Sequence, residues 1–102
     1  MLDTTTIEPH PSDPSARSVI RVVGNWKVLD HADLAGHVDG RRYALHGARR
    51  DARMALIDAL CAAGIDPCLA MPPISYRTLS VTREVRGEFV CWFAEVEAEA
   101  SI

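Results

Sequence analysis

The sequence predicts an α+β domain in which one main helix packs on one face of an antiparallel-rich sheet of four to five strands. Three observations support this fold class. Apolar residues recur at helical spacing over 48–63, apolar and polar residues alternate over 78–85 and 90–97, and a β-branched run lies at 19–23. With 102 residues and 48% hydrophobic residues, the chain is long enough for one such domain.

Residues 1–17 are predicted to form a flexible acidic arm that precedes the domain at 18–102. The segment is rich in proline and acidic residues and has few apolar ones. It therefore cannot bury enough apolar surface to offset the conformational entropy lost on ordering. The segment has no basic start followed by an apolar core, so it does not match a secretory signal. No stretch approaches the roughly 20 apolar residues of a membrane span. We therefore expect a cytoplasmic protein that does not enter a membrane.

The first structured region is predicted to be a β-hairpin. The run at 19–23 precedes Gly24-Asn25, a turn dipeptide, and the apolar residues of 26–29 follow it. The polar segment 30–40 is typical of a loop with a short strand near Val38. Residues 43–45 are interpreted either as a short strand or as the approach to the helix.

The helix is predicted over 48–63. Its apolar residues form one stripe, while Arg49, Arg50 and Asp58 take the other side. Gly64 stands where a left-handed C-terminal cap is expected, and Pro67 prevents the helix from continuing.

A second hairpin is predicted at the C-terminal end. The alternating segments 78–85 and 90–97 are separated by Arg86-Gly87-Glu88, which is typical of a turn. Around Trp92 both faces of the later strand are partly apolar, which indicates a central strand or one covered by a partner. A single alanine-rich helix covers one face of the sheet, so we expect the other face to be covered by a second copy or a protein partner.

The charged residues are segregated along the chain, although the net charge is only −3. The segment 41–53 contains one acid and five arginines, whereas 84–102 contains one arginine and five glutamates. Two interpretations of the basic patch stay open: a solvated helix face, or a site for an anion or nucleic acid. That patch consists of Arg41, Arg42, Arg49, Arg50 and Arg53.

Catalytic chemistry is not indicated. The segment 30–46 contains Asp30, His31, Asp33, His37 and His46, but their spacing matches no compact metal signature, so we expect no metal or other cofactor. No phosphate loop or hydrolase motif is present. Cys61 and Cys91 are interpreted as small core residues, and the aromatic side chains as core packing.

The stretch 19–60 resembles HicB-type antitoxins in part. That family combines an opening hairpin with an Asp-Leu-Pro-Gly segment and an alanine-rich helix, and this chain has Asp33-Leu34-Ala35-Gly36 before its helix. Alanine replaces the usual proline, and no terminal DNA-binding motif follows, so operator binding is not implied. The resemblance implies a partial RNase H-like layer that neutralises an RNA-cleaving toxin by covering it.

Our hypothesis from the sequence is therefore a non-catalytic protein-binding module, with a toxin or a second copy as the partner. The exposed sheet would meet the partner through Trp92, Glu95, Glu97 and Glu99, which would face a basic surface. The alternative hypothesis is a nucleic-acid-binding module that uses the five arginines.

Overall fold

The computed structural model describes residues 5–9, 18–31 and 40–102, and for residues 5–9, 30 and 31 it describes the backbone alone. One helix packs against an antiparallel sheet, which confirms the α+β class. The elements in chain order are β1 (Thr5–Pro9), β2 (Ser18–His31), α1 (Gly40–Ala62), β3 (Ile74–Arg86) and β4 (Phe89–Ser101).

The sheet has the strand order β1-β2-β4-β3. Because β4 is antiparallel to both β2 and β3, those two strands run in the same direction with β4 inserted between them. The helix α1 connects them, which makes a split βαβ arrangement with an additional edge strand. The prediction that the last strand is central to the sheet is confirmed.

Three long strands form the body of the sheet, and β1 adds five edge residues. The hairpin predicted at 19–29 is wrong, since β2 runs without interruption through Gly24-Asn25. A Cβ on Gly24 would lie 2.1 Å from the backbone nitrogen of Ala52 and 2.6 Å from the carbonyl oxygen of Ala48. Gly24 therefore allows the helix to approach the strand closely, a common role of glycine inside strands.

The helix begins at Gly40, not at residue 48, so residues 43–45 are helical and the short strand proposed for them is wrong. The sequence pattern did not predict this start, because the first turn contains no acidic residue and its two arginines oppose the helix dipole. Every fourth residue is buried against the sheet: Gly40, Ala44, Ala48, Ala52, Leu56 and Leu60.

The predicted C-terminal cap of α1 is confirmed. Gly64 has a φ of 82°, and its N–H donates to the carbonyl oxygen of Cys61 at 3.1 Å. The N–H of Ile65 donates to the carbonyl oxygen of Leu60 at 2.9 Å, which completes a Schellman motif. Ile65 also packs against the core cluster that contains Leu60.

The predicted C-terminal hairpin is also confirmed. Arg86 pairs with Phe89, so the loop consists of Gly87 and Glu88. Gly87 has a φ of 58° at the first central position, as a type II′ turn requires. A register shift between Thr78 and Ser80 places a bulge in β3.

The segment predicted as a flexible arm contains β1, which pairs antiparallel with β2 from Pro9 opposite Ser18 to Thr5 opposite Val22. The rest of 1–17, and the short strand proposed near Val38, lie outside the described residues.

The core lies between α1 and the sheet in two clusters. One surrounds Ile20, Leu56 and Leu60, and the other surrounds Ala48 and Val96. In the described part of the chain, α1 is the one long helix, and it lacks the continuous apolar length needed to cross a bilayer.

Candidate functional site

The face of the sheet opposite α1 is open across the described residues. We call it the open face. Side chains alternate along β4, so the residues at even positions point toward the helix and Glu95, Glu97 and Glu99 line the open face. The three glutamates predicted to bind a partner therefore lie together in one row.

These glutamates are paired within the sheet. The Nε of Arg21 on β2 donates to Glu99 Oε2 at 2.6 Å, and Nη2 of Arg77 on β3 lies 3.3 Å from Glu97 Oε1. The Oγ of Ser80 donates to Glu95 Oε1 at 3.1 Å. The hydrogen bond to Glu99 raises the pKa of Arg21 above its ordinary value. The predicted acidic surface is thus a mixed surface whose charges largely compensate one another.

The hairpin end of the open face is apolar. Leu29 is 64% exposed and Phe89 is 44% exposed. Leu29 pairs with Cys91, and the half-buried Phe93 lies one row further along β4. Leu29, Cys91 and Phe93 line a shallow depression of about 430 Å³. We call Leu29, Phe89, Cys91 and Phe93 the apolar end.

Charged side chains border the apolar end. Lys27 lies beside it on β2, and the Nε of Arg86 donates to Glu84 Oε1 at 2.9 Å on β3. This hydrogen bond raises the pKa of Arg86. The open face as described carries four basic and four acidic side chains, so neither sign of charge dominates it: Arg21, Lys27, Arg77 and Arg86 against Glu84, Glu95, Glu97 and Glu99.

Trp92 is separated from the glutamates. It lies on the helix side of β4, half-buried beneath the start of α1. A Cβ on Gly40 would lie 2.4 Å from Cδ1 of Trp92, so glycine makes room for the indole ring. The guanidinium of Arg83 lies 5.9 Å from the ring centroid. Trp92 thus packs under the helix and does not present its ring beside Glu95, Glu97 and Glu99.

The five predicted arginines are all exposed on the outer surface of α1, and we call them the arginine stripe. The one acid within the segment, Asp51, is engaged elsewhere: its Oδ2 accepts the backbone N–H of Asn25 at 2.9 Å. Arg49 lies over the ring of Tyr76 at 4.5 Å from the centroid. Within the described residues, Arg41, Arg50 and Arg53 form no ion pair.

A second feature beside the arginine stripe was not predicted. Trp26, Tyr43 and Met54 are 49%, 59% and 54% exposed and line one depression of about 520 Å³ along α1. A Cβ on Gly47 would lie 2.2 Å from Cγ of Trp26, so the indole ring rests directly on the helix. We call Trp26, Tyr43, Gly47 and Met54 the aromatic cleft.

A periodicity signal for this cleft existed in the sequence. Tyr43, Gly47 and Met54 share one side of a helix, but the prediction began the helix at residue 48 and so left out the first two. The expectation that the aromatic side chains form the core is wrong for Trp26, Tyr43 and Phe89, which are exposed.

The remaining candidate groups form no assembled site in the described residues. Cys61 is exposed, which corrects its interpretation as a core residue, and Cys91 is half-buried on the open face. No group of three metal-ligating side chains occurs among the described residues. Asp33 and His37 lie outside those residues.

Comparisons with protein-family models, with curated proteins and with solved structures find no significant match to this chain.

Proposed function

We propose that this chain is a non-catalytic, cytoplasmic protein-binding module that holds its partner against the open face. The observation that carries the proposal is the exposure of Leu29 and Phe89 on the side of the sheet that the described residues leave uncovered. Apolar and aromatic residues surrounded by a charged rim are typical of the centre of a protein interface.

The apolar end supplies the affinity in this proposal. Complete burial of a fully exposed Leu or Phe side chain contributes about 1.5–3 kcal/mol. Leu29 and Phe89 are 64% and 44% exposed, so each would contribute part of that amount, and the rest of the interface must supply the remainder. Both residues lie where β2 and β4 pair, with Leu29 opposite Cys91, so the sheet holds their backbones rigidly.

The glutamates contribute specificity to different extents. A basic partner must compete with Arg77 for Glu97 and with Arg21 for Glu99. Glu95 accepts a hydrogen bond from the neutral Ser80, so its negative charge is the least compensated of the three. We therefore assign the contact with a basic partner chiefly to Glu95.

The partner class follows from the resemblance to HicB-type antitoxins. We propose an RNA-cleaving toxin that the open face occludes. One part of the resemblance, Asp33-Leu34-Ala35-Gly36, lies outside the described residues, and the expected opening hairpin is replaced by the continuous strand β2. A second copy of this chain is the other occupant compatible with an exposed apolar end.

The experiment compares three tagged proteins: the unmodified chain, Leu29→Asp and Leu69→Asp. Leu29→Asp places a charge on the apolar end, whereas Leu69→Asp makes the same change at a leucine that is 85% exposed outside the sheet and serves as the matched control. We expect the unmodified chain and Leu69→Asp to retain the same host protein and to inhibit its RNA cleavage, and Leu29→Asp to do neither. Equal retention by all three proteins contradicts the proposal.

Light scattering measures the mass of the same three proteins. A dimer that Leu29→Asp converts to a monomer identifies a second copy as the occupant of the open face. A monomer in every case, combined with no selective retention of a host protein, overturns the proposed function.

A further inference from the structure

We infer that the outer surface of α1 binds single-stranded nucleic acid, with phosphates on the arginine stripe and bases on the aromatic cleft. This surface lies on the layer opposite the open face. The inference rests on its own side chains and does not depend on the proposed function.

The first argument is an accumulation of positive charge: within the described residues, Arg41, Arg50 and Arg53 form no ion pair. The arginine stripe spans 12 residue steps from Arg41 to Arg53, about 18 Å along the helix. Asp51 lines the aromatic cleft beside Arg50, and its Oδ2 accepts the backbone N–H of Asn25. No acid occurs in the first turn of α1, where the helix dipole adds a further positive potential.

The second argument is that one arginine is held in position. The guanidinium carbon of Arg49 lies 4.5 Å from the centroid of the Tyr76 ring, and Tyr76 is itself half-buried and packed against both core clusters. This cation–π contact keeps the guanidinium near the ring, and the exposed side chain can still donate N–H groups to a phosphate. Solvated arginines without such a contact lack this restriction.

The third argument is that the aromatic cleft lies directly beside the positive charge. Arg50 lines the cleft together with Trp26, Tyr43 and Met54. It also lines the neighbouring depression of about 450 Å³ with Arg49 and Arg53. A nucleotide on this surface can therefore place its base on a ring and its phosphate on an arginine.

The combination favours single strands over duplexes and over acidic proteins. A duplex keeps its bases stacked and would leave Trp26 and Tyr43 unused, whereas a single strand offers free bases for stacking. An acidic polypeptide satisfies the arginines but provides no base to stack on the exposed rings.

The experiment measures binding of fluorescent oligonucleotides of about 12 nucleotides, the order of one single-strand site, as oligo-dU and oligo-U. The full chain is titrated at about 50 mM salt and at higher salt, with a duplex and a polyglutamate peptide as comparison probes. We expect both single strands to bind more tightly than either comparison probe. A preference between oligo-dU and oligo-U, which differ only in the sugar, reports whether the 2′-hydroxyl is read.

Variants connect the binding to this surface. Arg50→Ala and Arg53→Ala should each weaken binding and reduce the slope of log K against log salt by about 0.7. Trp26→Ala should weaken binding by about tenfold at unchanged slope. Tyr43→Ala, at an exposed residue outside the core clusters, tests the same point if Trp26→Ala fails to fold. Arg86→Ala removes the same charge from the hairpin and should leave binding within about twofold.

Three results overturn the inference. They are no binding of single strands at low salt, an equal loss from Arg86→Ala and Arg50→Ala, and equal or tighter binding of the duplex or of polyglutamate. The last result assigns the surface to duplexes or to acidic proteins.

Discussion

The two faces of the sheet are built from the same strands but differ in every property that matters for function. The face under α1 presents small apolar residues of β4, such as Ala94, Val96 and Ala98, all fully buried. The open face presents Glu95, Glu97 and Phe93 from the same strand. Strand alternation therefore separates a surface that stabilises the fold from one that is available for binding.

Close packing restricts the covered face far more than the open face. Along the first half of α1 the buried residues are glycine and alanine, and the backbone of Ala52 leaves no room for a Cβ on Gly24. Substitutions on the two faces should therefore have very different effects on the free energy of unfolding.

The largest difference is expected from Gly24→Val. The new side chain must displace the helix backbone at Ala52, so we expect a loss of about 3 kcal/mol or more in the free energy of unfolding. The matched control is Val23→Thr, one residue earlier on the open face, which should cost less than about 1 kcal/mol. Urea denaturation measures both, and equal losses would mean that the helix does not approach β2 so closely.

A pair of leucines gives the next comparison. Leu56→Ala removes a fully buried side chain and should lower the free energy of unfolding by about 3 kcal/mol. Leu29→Ala removes an exposed side chain and should change it by about 0.5 kcal/mol or less. A large loss in the free energy of unfolding for Leu29→Ala would show that the apolar end is already covered in solution.

The smallest effect is expected from the pair of Arg21 and Glu99. Both side chains are about one-third exposed, so Arg21→Ala should shift the urea midpoint slightly at low salt and not at about 1 M salt. The raised pKa of Arg21 means that its contribution is lost only when the pH rises above that pKa. Varying the pH between about 6 and 9 should therefore leave the difference unchanged, and a salt-independent difference would contradict solvent screening of this pair.

The elements that were predicted correctly depend on short-range sequence patterns, in which residues close together in the chain determine the structure. Gly64 and Gly87 end their elements with positive φ, as expected for the helix cap and the hairpin turn. The apolar residues on both faces of the strand around Trp92 also indicated a central strand. Each of these signals depends on neighbours along the chain, so no tertiary information was needed.

The errors arise where a distant contact decides the structure. Gly24 is a turn residue by local preference, but in the fold it makes room for α1. The contact of Trp26 with Gly47 was missed because Gly47 lay outside the predicted helix, which began at residue 48, whereas α1 begins at Gly40. The glutamates were placed together correctly, whereas their pairing with Arg21 and Arg77 depends on the strand order.

The carboxylate of Asp51 has a further consequence at the outer border of β2. Within the described residues, strand β1 pairs with β2 as far as Val22, and further along β2 the carboxylate of Asp51 accepts the backbone N–H of Asn25. A strand from another molecule that paired with this edge of β2 would have to displace the Asp51 carboxylate or leave the Asn25 N–H out of the pairing. Asp51 should therefore oppose the addition of another strand at this edge of the sheet. Asp51→Ala should make the protein more prone to fibril formation.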